Sequence, residues 1–397
     1  MKKKRKFKKK LNIAQLHWGF PPIIGGVETH LAILLPTLAS KGHNVWLLTS
    51  SVEGCKTDYT QNRVHIIRSP LMDLNWLFKR GFEGLEEEIK RLFTKFIDCS
   101  RADVIHAHNM HYFSKLHAYT LQDVAKRKGI PIILTAHNVW DDILYLDLIR
   151  DINWAHIIAV SHYIKKELIG SGCDDRKITV VHHGMDTKKY RPGIETKRIL
   201  KDYPMLKNRR ILFHPARMGL AKGCDTSIKA LNIVKDQFPD VILVLAGTKN
   251  IIDWGATQEK DIAYMVNLIK FFNLRKRVLI DTFTLEQIRQ IYALSEVCMY
   301  PSSVGEPFGL TMLEAMASEK PMIVTMSGGM PEIIQDGITG FVIPIKDFEV
   351  LASRIILLLT NERLRKRLGS TGRQIVTSHY TKDTLAKNIL GIYRKYM

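Results

Sequence analysis

The chain has 397 residues and a formal net charge of +20, and 46% of its residues are hydrophobic and 25% charged. This length predicts two domains, and the composition is ordinary for a soluble globular protein. No apolar run approaches the roughly 20 residues that a membrane-spanning helix needs. The five cysteines are scattered and lack a CxxC pair, which argues against a disulfide framework or a zinc site and for a reducing cytosol.

The first ten residues, MKKKRKFKKK, contain eight lysines and arginines. No long apolar run follows them, so we do not expect the segment to be a secretory signal. We expect residues 1–10 to be a disordered, solubilising head; the alternative is weak contact with anionic lipid, at about 1 kcal/mol per basic residue. The expected location is therefore the cytoplasm, with the inner membrane face as the peripheral alternative. No nucleic acid partner is expected, because no aromatic-interleaved basic motif occurs elsewhere.

The elements that follow have an α/β order. Strands are predicted at LNIAQL and HNVWLLTS, separated by the loop HWGFPPIIGG and an amphipathic helix, VETHLAILLPTLASKG. This is a βαβ opening with a glycine pair at the entry to the helix. Later strands are predicted at ADVIHAH, PIILTAH, AHIIAV and ITVVHHG. Ligands of open parallel sheets lie outside the carboxyl ends of the strands, so polar residues at those ends are the better site candidates.

The α/β order of strands and helices starts again after a polar, basic stretch. Strands are predicted at ILFHPAR, DVILVLAG, RVLID, VCMYPS, PMIVTM and GFVIPI, and helices at CDTSIKALNIVKDQ and TLEQIRQIYALS. We place one Rossmann-like domain at 11–184 and a second at 185–378, and expect a C-terminal helix at 379–397 to pack back on the first domain. Two such domains facing a cleft suit an enzyme with one substrate on each side. A dehydrogenase, a sugar-nucleotide epimerase and a sugar transferase all fit this description.

The segment HPARMGLAKG follows the first strand of the second domain. Arg217 and Lys222 lie five residues apart on this loop, together with Gly219 and Gly223. An arginine fork, a lysine point charge and glycines that admit an anion to the backbone would form a phosphate clamp. The alternative is two solvated cations. The position at a strand's carboxyl end, before a helix, favours the clamp.

The segment SVGEPFGLTMLEAMASEKP places Glu306 on a loop and Glu314 early in a helix. The backbone N–H groups of Gly309, Leu310 and Thr311 would point out of the N-terminus of that helix, which suits a phosphate. Taken singly, Glu306 could be a solubilising loop residue and Glu314 a helix-start residue that favours the dipole. Together with the cationic loop, they describe a site for a diphosphate with hydroxylated groups at both ends.

The segment EPFGLTMLE resembles the E-x7-E motif of the retaining family-4 glycosyltransferases, which have the GT-B fold. The resemblance extends in chain order to GGVETH, HHGMD, the arginine and lysine at 217–223, SGGMPEII and DGITGFVIP. It implies that Glu306 contacts the donor sugar, that Glu314 binds the ribose, and that Arg217 and Lys222 hold the diphosphate. It further implies a nucleotide-sugar donor and no metal or other cofactor, consistent with the absence of a DxD motif in the expected place.

By the same resemblance the first domain holds the acceptor and the second the nucleotide sugar. Gly25 and Gly26 would face the leaving phosphate, and His137 matches a histidine near the reacting carbon. Ser161 has a similar position with weaker support. Asp186 fits a structural residue at the domain junction better than a catalyst. The alternative for His137 is a histidine at the edge of the core.

Departures from the family pattern leave the nucleotide base unassigned, since Phe283 replaces a common glycine. The acceptor is predicted from Asp141, Asp142 and Asp147, which would favour a cationic, polyhydroxylated molecule. The stretches HWGFPPIIGGVETHL and MIVTMSGGMPE are similar to transferases that move N-acetylglucosamine from its UDP donor to 2-deoxystreptamine in aminoglycoside biosynthesis. The alternative is that these aspartates are a solvated helix face.

Other functions stay open at this stage. Within the class, the alternative is a transferase that builds cell-surface glycan on a lipid carrier and docks through the basic head. A non-hydrolysing sugar-nucleotide epimerase shares the two-domain shape. A dinucleotide-dependent oxidoreductase would need a GxGxxG loop, and GFPPIIGG lacks that spacing. A nucleic-acid-binding module has only the net charge in its favour.

Overall fold

The computed structural model of the chain describes residues 10–139, 143–216, 218–247 and 256–397. The contacts divide the chain into two compact units, the first formed by Met1–His182 with Leu385–Met397 and the second by His183–Thr384. The sequence predicted boundaries after residues 184 and 378. The assignment of acceptor and donor to the two units stays a prediction.

The first unit contains an eight-stranded sheet within the described residues, with the order β3-β4-β2-β1-β5-β6-β7-β8. Every neighbouring pair is parallel except β3 with β4. The strands are β1 (Asn12–Leu16), β2 (Asn44–Ser50), β3 (Asp58–Gln61), β4 (Val64–Ser69), β5 (Val104–His108), β6 (Ile132–Ala136), β7 (His156–Ala159) and β8 (Ile178–Val180).

Helices accompany this sheet because parallel strands need crossover connections. They are α1 (Gly26–Ser40), α2 (Leu74–Arg80), α3 (Glu86–Ser100), α4 (Lys115–Lys128), α5 (Ile143–Asp151) and α6 (His162–Gly170). β5, β6 and β7 are buried along their whole length, as expected for strands covered on both faces. One core cluster joins the apolar residues of α1 to those of the sheet and to the segment from Leu385 to Tyr393.

The second unit contains a six-stranded parallel sheet within the described residues, with the order β11-β10-β9-β12-β13-β14. Its strands are β9 (Arg210–His214), β10 (Val241–Gly247), β11 (Val278–Thr282), β12 (Ser295–Tyr300), β13 (Met322–Thr325) and β14 (Gly340–Ile343). The helices from here to the end of the chain are α7 (Lys197–Asp202), α8 (Cys224–Gln237), α9 (Ala256–Phe271), α10 (Leu285–Leu294), α11 (Leu310–Ala317), α12 (Met330–Ile333), α13 (Phe348–Thr360), α14 (Glu362–His379) and α15 (Lys382–Tyr393).

The predicted fold class is confirmed: both units are Rossmann-like α/β structures with parallel sheets. The antiparallel hairpin of β3 and β4 was not predicted. Its turn residues Asn62 and Arg63 both have positive φ, at 51° and 67°. Tight hairpins of this kind commonly have Asn-Gly at the two turn positions. Because this turn has arginine where glycine is usual, the sequence pattern did not indicate a hairpin. Within the described residues, no helix is long and apolar enough to cross a membrane. All five cysteines are free.

Candidate functional site

The order of strands changes direction between β9 and β12 in the second unit. Such a switch point leaves an opening at the carboxyl ends of the two strands, where ligands of doubly wound sheets bind. The loop after β9 carries Lys222, and the loop after β12 carries Glu306. The topology therefore brings together two predicted site residues that lie 84 residues apart in sequence.

Lys222 and Glu306 form a direct ion pair. The lysine Nζ lies 2.8 Å from Glu306 Oε2, and their side chains are 21% and 14% exposed. The same carboxylate oxygen accepts a 2.6 Å hydrogen bond from the hydroxyl of Tyr300, the last residue of β12. The lysine Nζ also lies 5.6 Å from the centre of the Tyr300 ring. Lysine, tyrosine and glutamate thus form one half-buried charged cluster.

The loop that carries Lys222 is fixed to the loop after β12. Ser303 N donates to Ala221 O at 3.0 Å, and Ser302 Oγ donates to the same carbonyl at 3.0 Å. Gly223 permits this contact, because a Cβ atom at that position would lie 1.8 Å from Pro301 O. Gly223 also has a φ of +75°, which glycine adopts without strain. Both requirements point to glycine at position 223.

The segment after β13 holds the Glu306 loop from another side. Thr325 Oγ1 donates to Ser302 O, and Ser327 Oγ donates to Val304 O, each at 2.6 Å. Gly329 N donates to Glu306 O at 2.8 Å. These bonds orient the Glu306 loop before any ligand binds.

The predicted anion site at the start of α11 has part of the expected geometry. Gly309 precedes the helix with a φ of +81° and no side-chain cap, and Leu310 is its first residue. In the described part of the chain, the Thr311 hydroxyl oxygen is buried and makes no hydrogen bond. Uncapped backbone N–H groups and a spare hydroxyl donor are what a phosphate requires.

Glu314 is buried rather than placed on an exposed first turn, with only 8% of its surface accessible. Its Oε2 accepts a 2.9 Å hydrogen bond from Tyr292, and Tyr190 provides a second hydroxyl. Burial raises the pKa of Glu314 to about 7, against the opposing effect of the two hydroxyls and the Arg289 charge. The carboxylate is held in one orientation but is costly to ionise.

A cavity of the second unit is lined mainly by cationic residues, and Glu195 and Glu286 also line it. It has a volume of about 700 Å³, and Arg289 lines its wall. The Arg289 guanidinium lies 5.5 Å from the centre of the Tyr190 ring, and Tyr190 in turn contacts Glu314. A lining with more cations than anions attracts anionic ligands. The other cationic residues of the lining are Lys188, Lys189, Arg191, Lys197, Arg198 and Lys201.

In the first unit, Gly25 and Gly26 begin α1 as predicted, and their surroundings differ. A Cβ at Gly25 would lie 2.2 Å from Glu28 Oε2, and one at Gly19 would lie 2.2 Å from Glu28 Oε1. A Cβ at Gly26 would meet nothing within 4 Å. The buried Glu28 carboxylate therefore occupies the space beside Gly19 and Gly25. It lies 3.3 Å from His17 Nε2.

His137 follows β6 and is 4% exposed. Its Nε2 lies 3.0 Å from His108 Nδ1, and its backbone N donates to Asn109 Oδ1 at 2.7 Å. Ser161 is fully buried and caps α6, where its hydroxyl accepts from Ile164 N at 3.1 Å. Asp186 pairs with Lys382 at 2.7 Å. Capping and pairing give Ser161 and Asp186 clear structural tasks.

Three predicted residues, Arg217, Asp141 and Asp142, lie outside the described residues. Asp147 forms ion pairs with Arg150 and, at 3.7 Å, with Lys115. Because Asp147 has cationic partners, it adds little net negative charge for an acceptor. Phe283 is buried with its ring centre 5.2 Å from that of Tyr203.

Sequence reasoning missed Tyr300, Tyr190, Tyr292 and Gly328. Tyr300 carried a usable signal, since it ends a strand at the edge where we sought polar residues. Gly328 lies in the motif SGGMPEII, but its contact with Glu306 cannot be predicted from that motif and is visible only in the folded structure. Tyr190 and Tyr292 lie 102 residues apart and offered no local pattern.

Two family descriptions match the chain in separate regions. Residues 24–189 match Glycosyltransferase Family 4, and residues 195–375 match Glycosyl transferases group 1. Together the two regions span most of the chain, and they meet near the division between the two units.

Individual proteins are also similar to the chain in sequence or in structure. The chain is 29% identical to spore coat protein SA of Bacillus subtilis, over 61% of this chain and 65% of that protein. It is 24% identical to N-acetyl-alpha-D-glucosaminyl L-malate synthase of Bacillus anthracis, over 94% of both chains. Among solved structures, HepE of Anabaena in complex with UDP and glucose superposes with a TM-score of 0.79 at 19% identity, covering 97% of this chain and all of HepE. At 19% identity, the likeness to HepE concerns the fold alone.

Proposed function

Because the chain belongs to the GT-B glycosyltransferases that join a Family 4 region to a group 1 region, we propose that it transfers a hexose from a UDP-sugar to a hydroxyl group of a small polyhydroxylated acceptor, with retention at the anomeric carbon. The observation that carries the donor site is the pairing of Lys222 with Glu306 at the switch point of the second sheet. The complex of HepE with UDP and glucose supports the choice of UDP.

In the proposed complex, the diphosphate takes Lys222 as a partner and lies at the start of α11. The Thr311 hydroxyl and the N–H groups after Gly309 donate to its oxygens. Glu306, held by Tyr300, accepts from hydroxyls of the sugar. Glu314, held by Tyr190 and Tyr292, accepts from the two ribose hydroxyls. Arg217 completes the diphosphate clamp, as the sequence predicts.

The chemical step breaks the bond between the anomeric carbon and the phosphate oxygen. The acceptor oxygen forms the new bond on the same face, and its proton passes to the departing phosphate oxygen. Negative charge grows on the nucleoside diphosphate as the bond breaks. Fixed cations and N–H dipoles that stabilise this charge typically lower the activation free energy by several kcal/mol. The two glutamates need not act as an acid and base pair.

The sugar and the acceptor are proposed from two separate observations. The name of the Bacillus anthracis relative specifies an N-acetylglucosaminyl group, which favours UDP-N-acetylglucosamine as the first donor to assay. The ion pairs of Asp147 weaken the argument for a cationic acceptor. We therefore propose a polyhydroxylated acceptor of either charge class. The acceptors to compare are 2-deoxystreptamine, a lipid-linked glycan and, as an anion with a single hydroxyl, L-malate.

A donor and acceptor screen tests the proposal. UDP-, GDP- and ADP-sugars are incubated with each acceptor, and products are identified by mass spectrometry. With a UDP donor, we expect the acceptor mass to increase by one glycosyl residue of that donor. Proton coupling at the new anomeric centre then reports its configuration, and an inverted product would overturn retention. Epimerised donor formed without any acceptor would instead identify an epimerase.

A further inference from the structure

The mainly cationic cavity of the second unit carries more positive charge than its own carboxylates offset. Seven lysines and arginines and two glutamates line it, which leaves a net charge of +5. Glu195 pairs with Lys197 at 3.4 Å, and Glu286 pairs with Arg198 at 3.6 Å. Because both lining carboxylates are already paired, the excess charge belongs to the other cations.

Five cations of the lining form no ion pair in the described part of the chain. Four of them are exposed and the last is half-buried: Lys188, Lys189, Arg191, Lys201 and Arg289. Asp186, which lies two residues before Lys188, pairs with Lys382 instead, at 2.7 Å. These five side chains can therefore bind an anion without first breaking an ion pair.

Hydrogen bonds fix the backbone around the cavity. Gln290 on α10 is 6% exposed, and its Oε1 accepts from Ile199 N on α7 at 2.9 Å. The turn before the two neighbouring lysines is closed by Asp186, whose Oδ1 accepts from Lys188 N at 3.2 Å and whose carbonyl accepts from Lys189 N at 2.9 Å. The segments that carry the cations are thus held together before a ligand binds, which lowers the cost of ordering them.

Size and charge indicate the class of ligand. The volume of about 700 Å³ lies within the range of small-molecule sites, about 300–1,000 Å³. A phosphate monoester carries about −1.5 to −2 at neutral pH, so two or more phosphate groups are needed to approach the net charge of the lining. Arginine and lysine side chains both bind phosphate oxygens. The described lining residues include none of those proposed for the donor, so this ligand would occupy a separate site.

We propose that this cavity is a second binding site, for a small molecule with two or more phosphate groups, and that its occupancy weakens donor binding. Arg289 links the two sites. Its guanidinium lies 5.5 Å from the centre of the Tyr190 ring, and the Tyr190 hydroxyl hydrogen-bonds to Glu314. A phosphate group beside Arg289 would therefore lie one side chain away from the proposed ribose acceptor.

The direction of this effect follows from charge. Burial raises the pKa of Glu314 to about 7, and the charge of Arg289 opposes that rise. An anion bound beside Arg289 would offset its charge and so favour the neutral form of Glu314, which is the poorer acceptor for ribose hydroxyls. The second site stands independently of the proposed function, whereas its effect on the donor rests on that function.

Calorimetric titration of the full chain with tripolyphosphate, at constant ionic strength, tests the site. Lys188→Gln combined with Lys201→Gln removes two unpaired cations of the lining and should lower the affinity by about tenfold or more. Lys260→Gln combined with Lys270→Gln is the matched control, because it removes the same charge from exposed lysines of α9 outside the cavity. It should leave the affinity nearly unchanged. Lys222→Ala, which alters the proposed donor site, should retain binding.

Phosphate groups also occur on lipid headgroups, and vesicle sedimentation separates the two sources. Phosphatidylcholine vesicles are compared with and without phosphatidylinositol bisphosphate. Sedimentation that requires both this lipid and the lysines at 188 and 201 would support the site with a headgroup as its ligand. Binding of tripolyphosphate without such sedimentation would support it with a soluble ligand.

Three calorimetric results would overturn the site: no binding to the unmodified chain, equal weakening in the two double variants, or binding that is lost in Lys222→Ala but kept when the lysines at 188 and 201 are replaced. The last result would assign the probe to the donor site alone.

Kinetics test the link to the donor. Tripolyphosphate should raise the donor KM, and the rise should be several-fold smaller in the cavity variant than in the α9 control variant. An equal rise in both would overturn the link. An unmodified chain that is inactive with every donor would contradict the proposed function, while calorimetry would still decide the second site.

Discussion

The backbone of Glu306 lies directly against Gly328, so closely that a Cβ atom at position 328 would be 2.2 Å from the Glu306 carbonyl oxygen and 2.6 Å from its nitrogen. Gly328→Ala should therefore displace the Glu306 loop. We expect a higher donor KM, a lower kcat and a lower melting temperature, measured by steady-state kinetics and thermal unfolding.

The control for Gly328→Ala is Gly337→Ala. Both glycines have positive φ, at +57° and +70°, so alanine is strained at either position by roughly 1–2 kcal/mol. A Cβ at Gly337 meets nothing within 4 Å. Gly337→Ala should lower stability without changing donor KM, and equal kinetic effects of the two variants would contradict the role of the 306–328 contact.

Lys222→Ala should reduce turnover by about 100-fold or more, since it removes a fixed cation from the proposed diphosphate site. Lys229→Ala is the control, because Lys229 is also half-buried and paired, at 3.0 Å with Asp225 on α8. Its loss should change kcat/KM by no more than a few-fold. If Lys222→Ala retains ordinary turnover, the clamp assignment is wrong.

Tyr300→Phe should weaken donor binding while leaving the chain folded. The variant removes the 2.6 Å hydrogen bond to Glu306 Oε2, and bonds to charged groups contribute roughly 1.5–3 kcal/mol. We expect the donor KM to rise by about tenfold or more on that basis. Tyr203→Phe removes a comparable 2.8 Å bond to Asp281 and serves as control. Similar donor KM values for both variants would argue against orientation of Glu306 by Tyr300.

Glu314 should make stability and donor binding depend on pH in opposite directions. Its pKa is raised from 4.5 to about 7 on folding, so the native state binds more protons than the unfolded state between these values. The free energy of unfolding therefore falls as pH rises through this window, by on the order of 3 kcal/mol. Donor affinity should rise over the upper part of the window, because the ionised carboxylate accepts both ribose hydroxyls.

Glu314→Gln isolates that dependence. The amide oxygen still accepts from Tyr292, and the group no longer titrates. The difference in unfolding free energy between the unmodified chain and the variant, from denaturant titrations at pH 4.5 to 8, should decline with pH. A flat difference would show that the carboxyl titrates near its ordinary pKa in the folded chain.

Gly25→Ala and Gly26→Ala separate two explanations of the glycine pair. The first variant places a Cβ against Glu28, and the second meets open space. We expect Gly25→Ala to lower the melting temperature and Gly26→Ala to leave it unchanged or slightly higher, since alanine favours a helix. If the pair instead serves the leaving phosphate, Gly26→Ala should also impair turnover despite normal stability.

The fold was largely predictable because apolar runs bounded by glycine and polar residues mark buried parallel strands. The helix at Cys224–Gln237 was predicted to the residue, and the positions of Lys222 and Glu306 followed from the carboxyl ends of β9 and β12. Their placement at a switch point did not follow from either segment alone. It required the strand order of the sheet.

Long-range contacts account for what could not be predicted. Gln15 bonds Tyr393 across 378 residues, and neither local sequence carries a sign of the other. Glu314 fits the pattern of an exposed helix-start glutamate, and its burial depends on tyrosines from two other segments. Sequence patterns report local propensity and periodicity, whereas these side chains are determined by packing between distant elements.

The first unit takes Leu385–Met397 from beyond the second, and this has a consequence for synthesis on the ribosome. All eight strands of its sheet emerge before His183–Thr384 is translated, and the helix that supplies Tyr393 emerges only afterwards. At ordinary elongation rates that delay is on the order of 10–40 s. The second unit, being continuous, is the first to have all its residues available. Until residues 385–393 emerge, the core of the nascent first unit lacks the residues that this segment contributes.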